Sequence, residues 1–240
     1  MTVVEQKFWV IIPAAGVGSR MNAGLPKQYL ELNGKTVLEH TLDCFIHHPR
    51  ISGVIVAISE ADDYWSDLQF KTTRPVITVK GGAERCHSVL NALKGLEELA
   101  ENHDWVLVHD AARPCLNKND LDKLLITMAT HPVGGLLGVP VHDTIKKVDA
   151  VSLVEATVDR ESLWRALTPQ MFRYDMLRNA LTKALEDDYL VTDDASAIEH
   201  AGYAPLILEG CADNIKITRP EDLSLAEFYL TQNNNIKEQE

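Results

Sequence analysis

The stretch WVIIPAAGVGSRMNAGLPKQY, residues 9–29, joins a short apolar run to a loop that contains two closely spaced glycines. The run at 9–12 is apolar without alternation, as expected of a strand that is buried on both faces of a sheet. Gly16 and Gly18 have the first spacing of the dinucleotide-binding fingerprint, but Met21 stands where that fingerprint has its third glycine. The stretch therefore predicts a strand followed by a tight turn whose backbone N–H groups can meet an anion.

The rest of the chain alternates short apolar runs with helical patterns. Further strands are predicted at 53–59, 76–79, 105–109, 134–141, 204–210 and 214–218. Helical spacing of apolar residues predicts helices over 36–48, 84–102, 118–129, 174–186, 192–202 and 220–230. Asn117 is the predicted cap of the third helix, and a frayed tail is expected after 230. This alternation predicts an α/β fold with a doubly wound, mostly parallel sheet, which binds ligands beyond the carboxyl ends of its strands.

The segment 142–160 departs from this alternation. Two runs, 143–148 and 153–158, flank a short polar turn, and neither is apolar enough to be a central strand. We expect a β-hairpin arm that protrudes from the domain. Because an isolated two-stranded hairpin is marginal in water, the arm should pack on another surface.

The composition predicts one soluble α/β domain spanning residues 1–240. Of the 240 residues, 45% are hydrophobic, and the net charge is −12. That charge argues against nucleic acid as a partner. The four cysteines lie far apart without a C-x-x-C pair, which is typical of reduced thiols rather than a zinc site. No apolar run reaches the ~18 residues of a membrane span and no signal-peptide pattern is present, so we expect a cytoplasmic protein without membrane contact.

Two cations indicate the ligand of the first loop. Arg20 and Lys27 follow the glycines and favour a ligand of high negative charge, such as a triphosphate. The lysine does not stand in a Gly-Lys-Ser/Thr sequence, so this is not a Walker loop. A tight surface turn with two unrelated cations remains the alternative on this motif alone.

An acidic residue follows the predicted strand 105–109 at the ligand-binding edge of the sheet. The carboxylate of Asp110 can hold Mg²⁺ together with phosphate oxygens, because Mg²⁺ prefers one or two carboxylates with phosphates and water. A helix cap or an ion pair with Arg113 is the alternative. His109 is expected to be a hydrogen-bonded core histidine rather than a base.

Three more motifs place polar residues where they can meet a ligand. A second pair of glycines, ending at Gly82, precedes Arg85 and Ser88 at a helix start, where amides and a hydroxyl can meet a base or ribose. Thr192 opens a stretch that is typical of a helix cap, and its hydroxyl can also contact a ligand. Lys216 lies in a predicted strand, where a lone lysine is usually solvated.

Together these motifs resemble those of the 2-C-methyl-D-erythritol 4-phosphate cytidylyltransferases of the non-mevalonate isoprenoid pathway. They occur in that family's order over about residues 9–230: PAAGVGSRM, PKQY, GGAERCHS, VHDAARP, TVDR, TPQ, TDDAS and NIKITRPEDL. The first motif also occurs in many sugar nucleotidyltransferases, whereas its combination with the others is far more specific. The resemblance implies a Rossmann-like nucleotidyltransferase fold that transfers CMP from CTP to methylerythritol phosphate and releases pyrophosphate.

The resemblance also implies roles for individual residues. The CTP phosphates would be held by Ala14, Ala15, Gly16, Gly18 and Lys27. The cytidine would lie near Gly82, Ser88 and Ala111, and Mg²⁺ on Asp110. The methylerythritol phosphate would be held by Arg113, Thr144, Arg160, Thr192 and Lys216. Catalytic roles would fall to Arg20, Lys27, Arg160 and Lys216.

The resemblance further implies a homodimer in which the 142–160 arm reaches into the partner's active site. The nearest alternative function is a cytidylyltransferase for another polyol phosphate, such as ribitol 5-phosphate, which would share the fold and the loop. An NAD-dependent oxidoreductase would need a third glycine at position 21, where this chain has Met21. A catalytically inert nucleotide-binding protein would not need every candidate cation.

Overall fold

The computed structural model describes residues 6–16 and 25–237, with side chains up to 233. Its strands are β1 (Phe8–Pro13), β2 (Glu31–Leu32), β3 (Lys35–Thr36), β4 (Gly53–Ile58), β5 (Val76–Lys80), β6 (Trp105–Val108), β7 (Gly134–Pro140), β8 (Ile145–Val148), β9 (Val154–Val158), β10 (Trp164–Arg173) and β11 (Leu206–Glu209). Its α-helices are α1 (Val37–Ile46), α2 (Arg85–Gly95), α3 (Lys118–Ala129), α4 (Tyr174–Glu186), α5 (Asp194–His200) and α6 (Glu221–Lys237).

Seven strands form the central sheet in the order β11-β7-β10-β6-β1-β4-β5. The pairs β1–β4, β1–β6, β4–β5 and β7–β11 are parallel, and β10 alone runs antiparallel to its neighbours β6 and β7. Helices cover both faces of this sheet, so the predicted doubly wound, mostly parallel α/β fold is confirmed.

Alternate residues of β1 point to opposite faces of the sheet, and each face has its own core. Val10 and Ile12 pack with Phe45 of α1 and Leu124 of α3, among others. Trp9 and Ile11 pack in a second cluster with α2, α4 and α5. Because both faces of the strand are buried, an uninterrupted apolar run was the correct signal for it.

Residues 214–218, predicted as a strand, form no strand in the described structure. The buried side chain of Asn214 donates to Thr168 O at 2.7 Å, and Ile217 N donates to Ala112 O at 2.9 Å. The Asn214 amide thus bonds to β10 and the Ile217 N–H to the loop after β6, in place of a ladder with a neighbouring strand, while Asn214 Oδ1 is buried without a partner in the described part of the chain.

Three strands were missed, namely the short pair β2 and β3 and the long strand β10, and one helix is longer than predicted. β10 contains Pro169, which usually argues against a central strand, but its register shifts between Ala166 and Gln170, and the proline lies within that irregularity. The last helix continues to Lys237, past the predicted end at 230, so residues 231–237 are helical where fraying was expected.

The two strands predicted in the arm form an antiparallel pair, separate from the central sheet. Ile145 lies opposite Val158, and the connection is held by Asp149 Oδ1, which accepts from Val151 N and Leu153 N at 2.9 Å each. Most residues of both strands are exposed.

Candidate active site

A cavity of about 380 Å³ lies at the carboxyl ends of β1, β5 and β6. This is the edge at which an open α/β sheet binds its ligands. The cavity is lined by Pro13, Ala14, Ala15, Gly16, Lys27, Gln28, Gly82, Ala83, Glu84, Arg85, Ser88, Asp110, Ala111, Ala112, Lys216 and Thr218. Most of the residues predicted to bind the nucleotide are therefore brought together in one place.

The first loop is fixed through its carbonyl groups. The buried side chain of Gln28 donates from Nε2 to Ala14 O at 2.6 Å and to Gly16 O at 3.1 Å. Because the C=O and N–H of one peptide unit point in opposite directions, the N–H of Ala15 points away from Gln28. The predictions that lie outside the described residues concern Gly18, Arg20 and Met21.

Two lysines from distant parts of the chain line the cavity. Lys27 donates from Nζ to Ile217 O at 2.9 Å, and Lys216 Nζ is 2.9 Å from Asp110 Oδ2. Lys216 is therefore paired with a buried acid, whereas a lone lysine on a strand would usually be solvated. The irregular segment at 214–218 carries it to the cavity.

Asp110 is surrounded by three cationic side chains. Its Oδ1 lies 3.0 Å from Arg85 Nε, and its Oδ2 lies 2.9 Å from Lys216 Nζ and 3.3 Å from Arg113 Nε. Burial raises the pKa of this carboxyl, but the charges of Arg85, Lys216 and Arg113 outweigh burial and hold the pKa well below its usual range. Of the two alternatives to a metal site at Asp110, the ion pair with Arg113 is present, whereas the helix cap is wrong because Asn117 caps α3.

His109 is the buried histidine that the sequence predicted. Its Nε2 lies 2.9 Å from Arg113 O, which can only accept, so the ring is protonated there. Its Nδ1 then accepts from the hydroxyl of Thr168 at 2.9 Å, and that hydroxyl oxygen accepts from Asp110 N at 3.2 Å. Burial lowers the pKa of His109 to about 4. The neutral ring therefore fixes the end of β6 against β10.

The second glycine loop needs both of its glycines. A Cβ on Gly81 would lie 2.3 Å from the Cβ of Ala15, and a Cβ on Gly82 would lie 2.3 Å from that of His87. The loop after β5 can therefore approach the loop after β1 only without a side chain at Gly81, and it can approach the start of α2 only without one at Gly82. Gly82 N donates to Ser88 Oγ at 3.0 Å, which orients the hydroxyl at the cavity wall.

The residues expected to hold the acceptor are less closely grouped. Arg113 is buried behind Asp110, where its Nη1 donates to Asn214 O at 2.8 Å. Thr192 is exposed before α5, whose cap is its neighbour Asp193. Thr144 and Arg160 are exposed at the ends of the β8–β9 pair. Within residues 6–16 and 25–237, the lining of the cavity includes none of the four.

Comparison with known proteins gives this geometry a family. A model of the family described as "IspD: 2-C-methyl-D-erythritol 4-phosphate cytidylyltransferase" matches residues 8–232. The chain belongs to the IspD family. It is therefore a nucleotidyltransferase of the non-mevalonate isoprenoid pathway, and the family favours methylerythritol phosphate over the ribitol phosphate alternative.

Individual IspD relatives agree with the family assignment. A cytidylyltransferase of this name from Pseudomonas putida is 57% identical over 217 residues, which are 90% of this chain and 92% of the relative. One from Vibrio vulnificus is 51% identical over 227 residues, covering 95% of this chain and 96% of the relative.

Solved structures of IspD proteins show the same fold. The structure from Francisella tularensis aligns with a TM-score of 0.82 at 37% identity, covering 93% of this chain and 100% of that chain. The structure from Thermus thermophilus aligns with a TM-score of 0.75 at 30% identity, covering 93% and 98% of the two chains.

Several residues that build this IspD site were not assigned a role from the sequence. Arg85 was noted only as part of a helix start, and Thr168 only as part of the TPQ motif. Such residues act through long-range pairing, which local sequence pattern does not encode. The unassigned residues that hold the site together are Gln28, Arg85, Thr168, Asp194 and Asn214.

The donor set at the cavity suits a hard divalent cation. Glu84 and Asp110 are the carboxylates in the described lining, and Mg²⁺ prefers carboxylate oxygens together with phosphates and water. Asp110 remains ionised at ordinary pH because of its cationic neighbours.

In the described part of the chain, no helix combines the length and apolar character needed to cross a membrane.

Proposed function

We propose that the cavity transfers CMP from CTP to 2-C-methyl-D-erythritol 4-phosphate, giving 4-diphosphocytidyl-2-C-methyl-D-erythritol and pyrophosphate. A phosphate oxygen of the acceptor attacks the α-phosphorus of CTP, and the bond from that phosphorus to the pyrophosphate oxygen breaks. The observation that carries this proposal is that Lys27, Lys216 and Arg85 line one cavity at the ends of β1 and β6. The ionised Asp110 lines the same cavity, where Lys216 and Arg85 contact it.

The cationic side chains of the cavity supply positive charge, which this reaction between two anions needs. The attacking phosphate is already an anion, so no strong general base is needed, and the obstacle is the repulsion between two polyanions. A cation about 4 Å from a phosphate charge contributes on the order of 4 kcal/mol at an effective dielectric near 20. Preplaced cations therefore accelerate the reaction by orientation and charge stabilisation.

The nucleotide is assigned to the loops after β1, β5 and β6. The phosphates are held by Ala14, Ala15, Gly16, Gly18, Arg20 and Lys27. The cytidine lies near Gly82, Ser88 and Ala111. Support comes from the way Gln28 turns the first loop and from the close approach of the second loop. The roles of Gly18 and Arg20 rest on their motif alone.

Asp110 is the residue that would hold Mg²⁺ with the phosphate oxygens of CTP. When bound, the ion neutralises phosphate charge. The chain's part is to keep the carboxylate ionised and oriented, which Arg85, Arg113 and Lys216 do from three sides. Because one carboxylate shared among three cations retains little negative charge, binding of the ion and of the phosphates should be strongly coupled.

The acceptor is assigned to Lys216 together with Arg113, Thr144, Arg160 and Thr192. Arg160 and Thr144 are too exposed in one chain to enclose a ligand, and the β8–β9 arm carries exposed apolar side chains. Those side chains are Val148, Val151, Leu153 and Val154. A second subunit that covers them would form a homodimer and bring Thr144 and Arg160 to the partner's cavity.

A single domain over 1–240 and a cytoplasmic location belong to the same proposal.

A coupled pyrophosphate-release assay tests the reaction. CTP with methylerythritol phosphate should release pyrophosphate only when both are present, and ribitol 5-phosphate should give a far lower kcat/KM. The product should contain one diphosphate bridge by ³¹P NMR. Equal turnover of the two acceptors would contradict the assigned specificity, and no release in the presence of Mg²⁺ would contradict the function.

A further inference from the structure

Arg85 joins two parts of the chain that are distant in sequence. From the first turn of α2, its Nε donates to Asp110 Oδ1 at 3.0 Å, and its Nη2 donates to Asp194 Oδ2 at 2.8 Å. Asp110 lines the cavity, whereas Asp194 does not and is completely buried in the first turn of α5. One guanidinium therefore spans the gap between the cavity and a buried acid outside it.

The acid at the far end of this bridge adjoins the acceptor side of the site. Thr192 precedes Asp194 by two residues, and Asp193 between them caps α5 through Ser196 N at 2.9 Å. Gln170 fixes the same turn, donating to Asp193 Oδ2 at 2.8 Å and accepting from Ala195 N at 2.7 Å. Thr192 itself donates from its backbone N to Ser196 Oγ at 3.1 Å, so its position depends on the turn that carries these acids.

Asp194 has little else to hold it. Its Oδ1 is buried without a hydrogen-bond partner in the described part of the chain, so the contact with Arg85 is the principal compensation for burying this carboxylate. Burial raises the pKa of Asp194, and the charge and hydrogen bond of Arg85 oppose that effect, because a buried carboxylate is costly unless it is paired. That cost indicates a purpose beyond stabilising α5, which already has a capping box.

We infer that Arg85 is a positioning residue that couples the nucleotide side of the site, through Asp110, to the acceptor side, through Asp194 and the turn that carries Thr192. This inference rests on the proposed function, because it takes Thr192 as an acceptor contact. A nucleotide and its cation held at Asp110 would change the charge around Arg85, and the bridge would carry that change to the turn that holds Thr192. CTP binding should therefore strengthen acceptor binding.

Geometry and charge make separate predictions for Arg85. Arginine presents several N–H donors in a planar fork and can serve two carboxylates, whereas the single ammonium of lysine cannot hold both in this way. If Arg85 only neutralised charge, Arg85→Lys would retain activity. If Arg85 bridges the two acids, Arg85→Lys should instead lose activity, because a lysine that reaches Asp110 leaves Asp194 unpaired.

Substitutions at Asp194 test the bridge without touching the cavity. Asp194→Ala removes the contact, and Asp194→Asn is the matched variant that keeps a hydrogen-bond acceptor for Arg85. Asp194→Ala should raise the KM for methylerythritol phosphate about tenfold, as expected for loss of a charge-assisted contact, and leave the KM for CTP within about twofold. Asp194→Asn should fall between Asp194→Ala and the parent protein, and Thr192→Ala serves as the reference for a damaged acceptor side.

The outcomes separate the bridge from the proposed function. An unchanged acceptor KM in Asp194→Ala, with a raised one in Thr192→Ala, would overturn the bridge and leave the function intact. No turnover by the parent protein would refute the function itself. Equal increases in both KM values would also overturn the bridge, since they indicate a general loss of structure. If Asp194→Ala does not fold by circular dichroism, the pair Arg85→Gln with Asp194→Asn replaces the buried charges by amides, and the same selective rise in acceptor KM is expected.

Discussion

At the scale of single residues, Lys27 bears most directly on catalysis. It lines the cavity from the segment after the first loop, and its Nζ lies 2.9 Å from Ile217 O. Lys27→Ala should lower kcat about a hundredfold with a much smaller change in KM, the usual cost of losing one preorganised charge. Steady-state kinetics at saturating CTP measure this. Lys123→Ala, an exposed lysine outside the cavity, is the control, and near-normal turnover in Lys27→Ala would contradict the role.

Asp110 separates a metal-binding role from a purely structural one. Asp110→Asn leaves the side chains of Arg85, Arg113 and Lys216 around a neutral amide, so the kcat/KM at fixed Mg²⁺ should fall at least about a hundredfold. The Mg²⁺ concentration for half-maximal activity should rise. Asp43→Asn, which breaks a surface ion pair with Lys35, is the matched control. An unchanged magnesium requirement would reduce Asp110 to an ion-pair partner.

His109 predicts a pH dependence of stability. Its pKa is about 4 in the folded protein because of burial, against 6.5 for an ordinary histidine. As the pH falls through that interval, the unfolded chain gains a proton that the folded chain does not, so the free energy of unfolding decreases. The loss over the interval is about 3 kcal/mol at this site.

Urea unfolding at about pH 7 and about pH 4.5 measures this loss. In His109→Gln the amide can bond to Thr168 and Arg113 in the same way, but it does not titrate. Its decrease in stability over the interval should therefore be smaller than that of the parent protein, although the other histidines contribute to both. Identical decreases in the two proteins would contradict the assigned pKa.

At the scale of elements, helix α3 shows a sequence signal that the structure confirms. The side chain of Asn117 accepts from Asp120 N at 2.8 Å, as its position before the apolar periodicity predicted. Asn117→Ala should lower the free energy of unfolding by about 1 kcal/mol, the typical value of a lost cap. Chemical denaturation measures the loss, and kcat should not change. A loss of activity at unchanged stability would be inconsistent with a capping role.

The elements also show which information is local and which is not. The buried strands and the capped helices were predictable, because apolar runs and cap residues act within a few positions of themselves. Residues 214–218 were not, because Ile and polar residues alternate there as in a strand, whereas Asn214 bonds to Thr168 of β10 and Ile217 to Ala112 of the loop after β6. β10 was hidden by Pro169, which lies at a register shift that only its neighbours define.

The residues of the candidate site also fall into those that local sequence pattern predicts and those that depend on distant contacts. Glycines, Lys27 and Asp110 were found because each follows a strand that ends at the same edge of the sheet. Arg85 and Asp194 were not assigned to it, since they are 109 positions apart in sequence and their pairing depends on how α2 and α5 pack. Pattern alone locates the residues near a ligand but not the buried residues that orient them.

At the scale of the whole molecule, the arm predicts sites shared between subunits. If Arg160 serves the partner's cavity and Lys27 its own, a heterodimer of Lys27→Ala and Arg160→Ala has one site with both lesions and one with neither. Random pairing makes half of the dimers mixed, so unfolding and refolding the two variants together should restore about a quarter of the parent activity. Each variant refolded alone is the control. No recovery in a preparation shown to contain heterodimers would mean that the arm serves its own subunit.

The central claim is that the cavity at the ends of β1, β5 and β6 binds CTP for cytidylyl transfer. A crystal structure of the protein with CTP and Mg²⁺ tests it most directly. We expect the triphosphate against the backbone of residues 14–16 and the side chain of Lys27, the cytosine beside Gly82 and Ser88, and the metal ion on Asp110. Nucleotide density elsewhere on the molecule, with this cavity occupied only by water, would contradict the account.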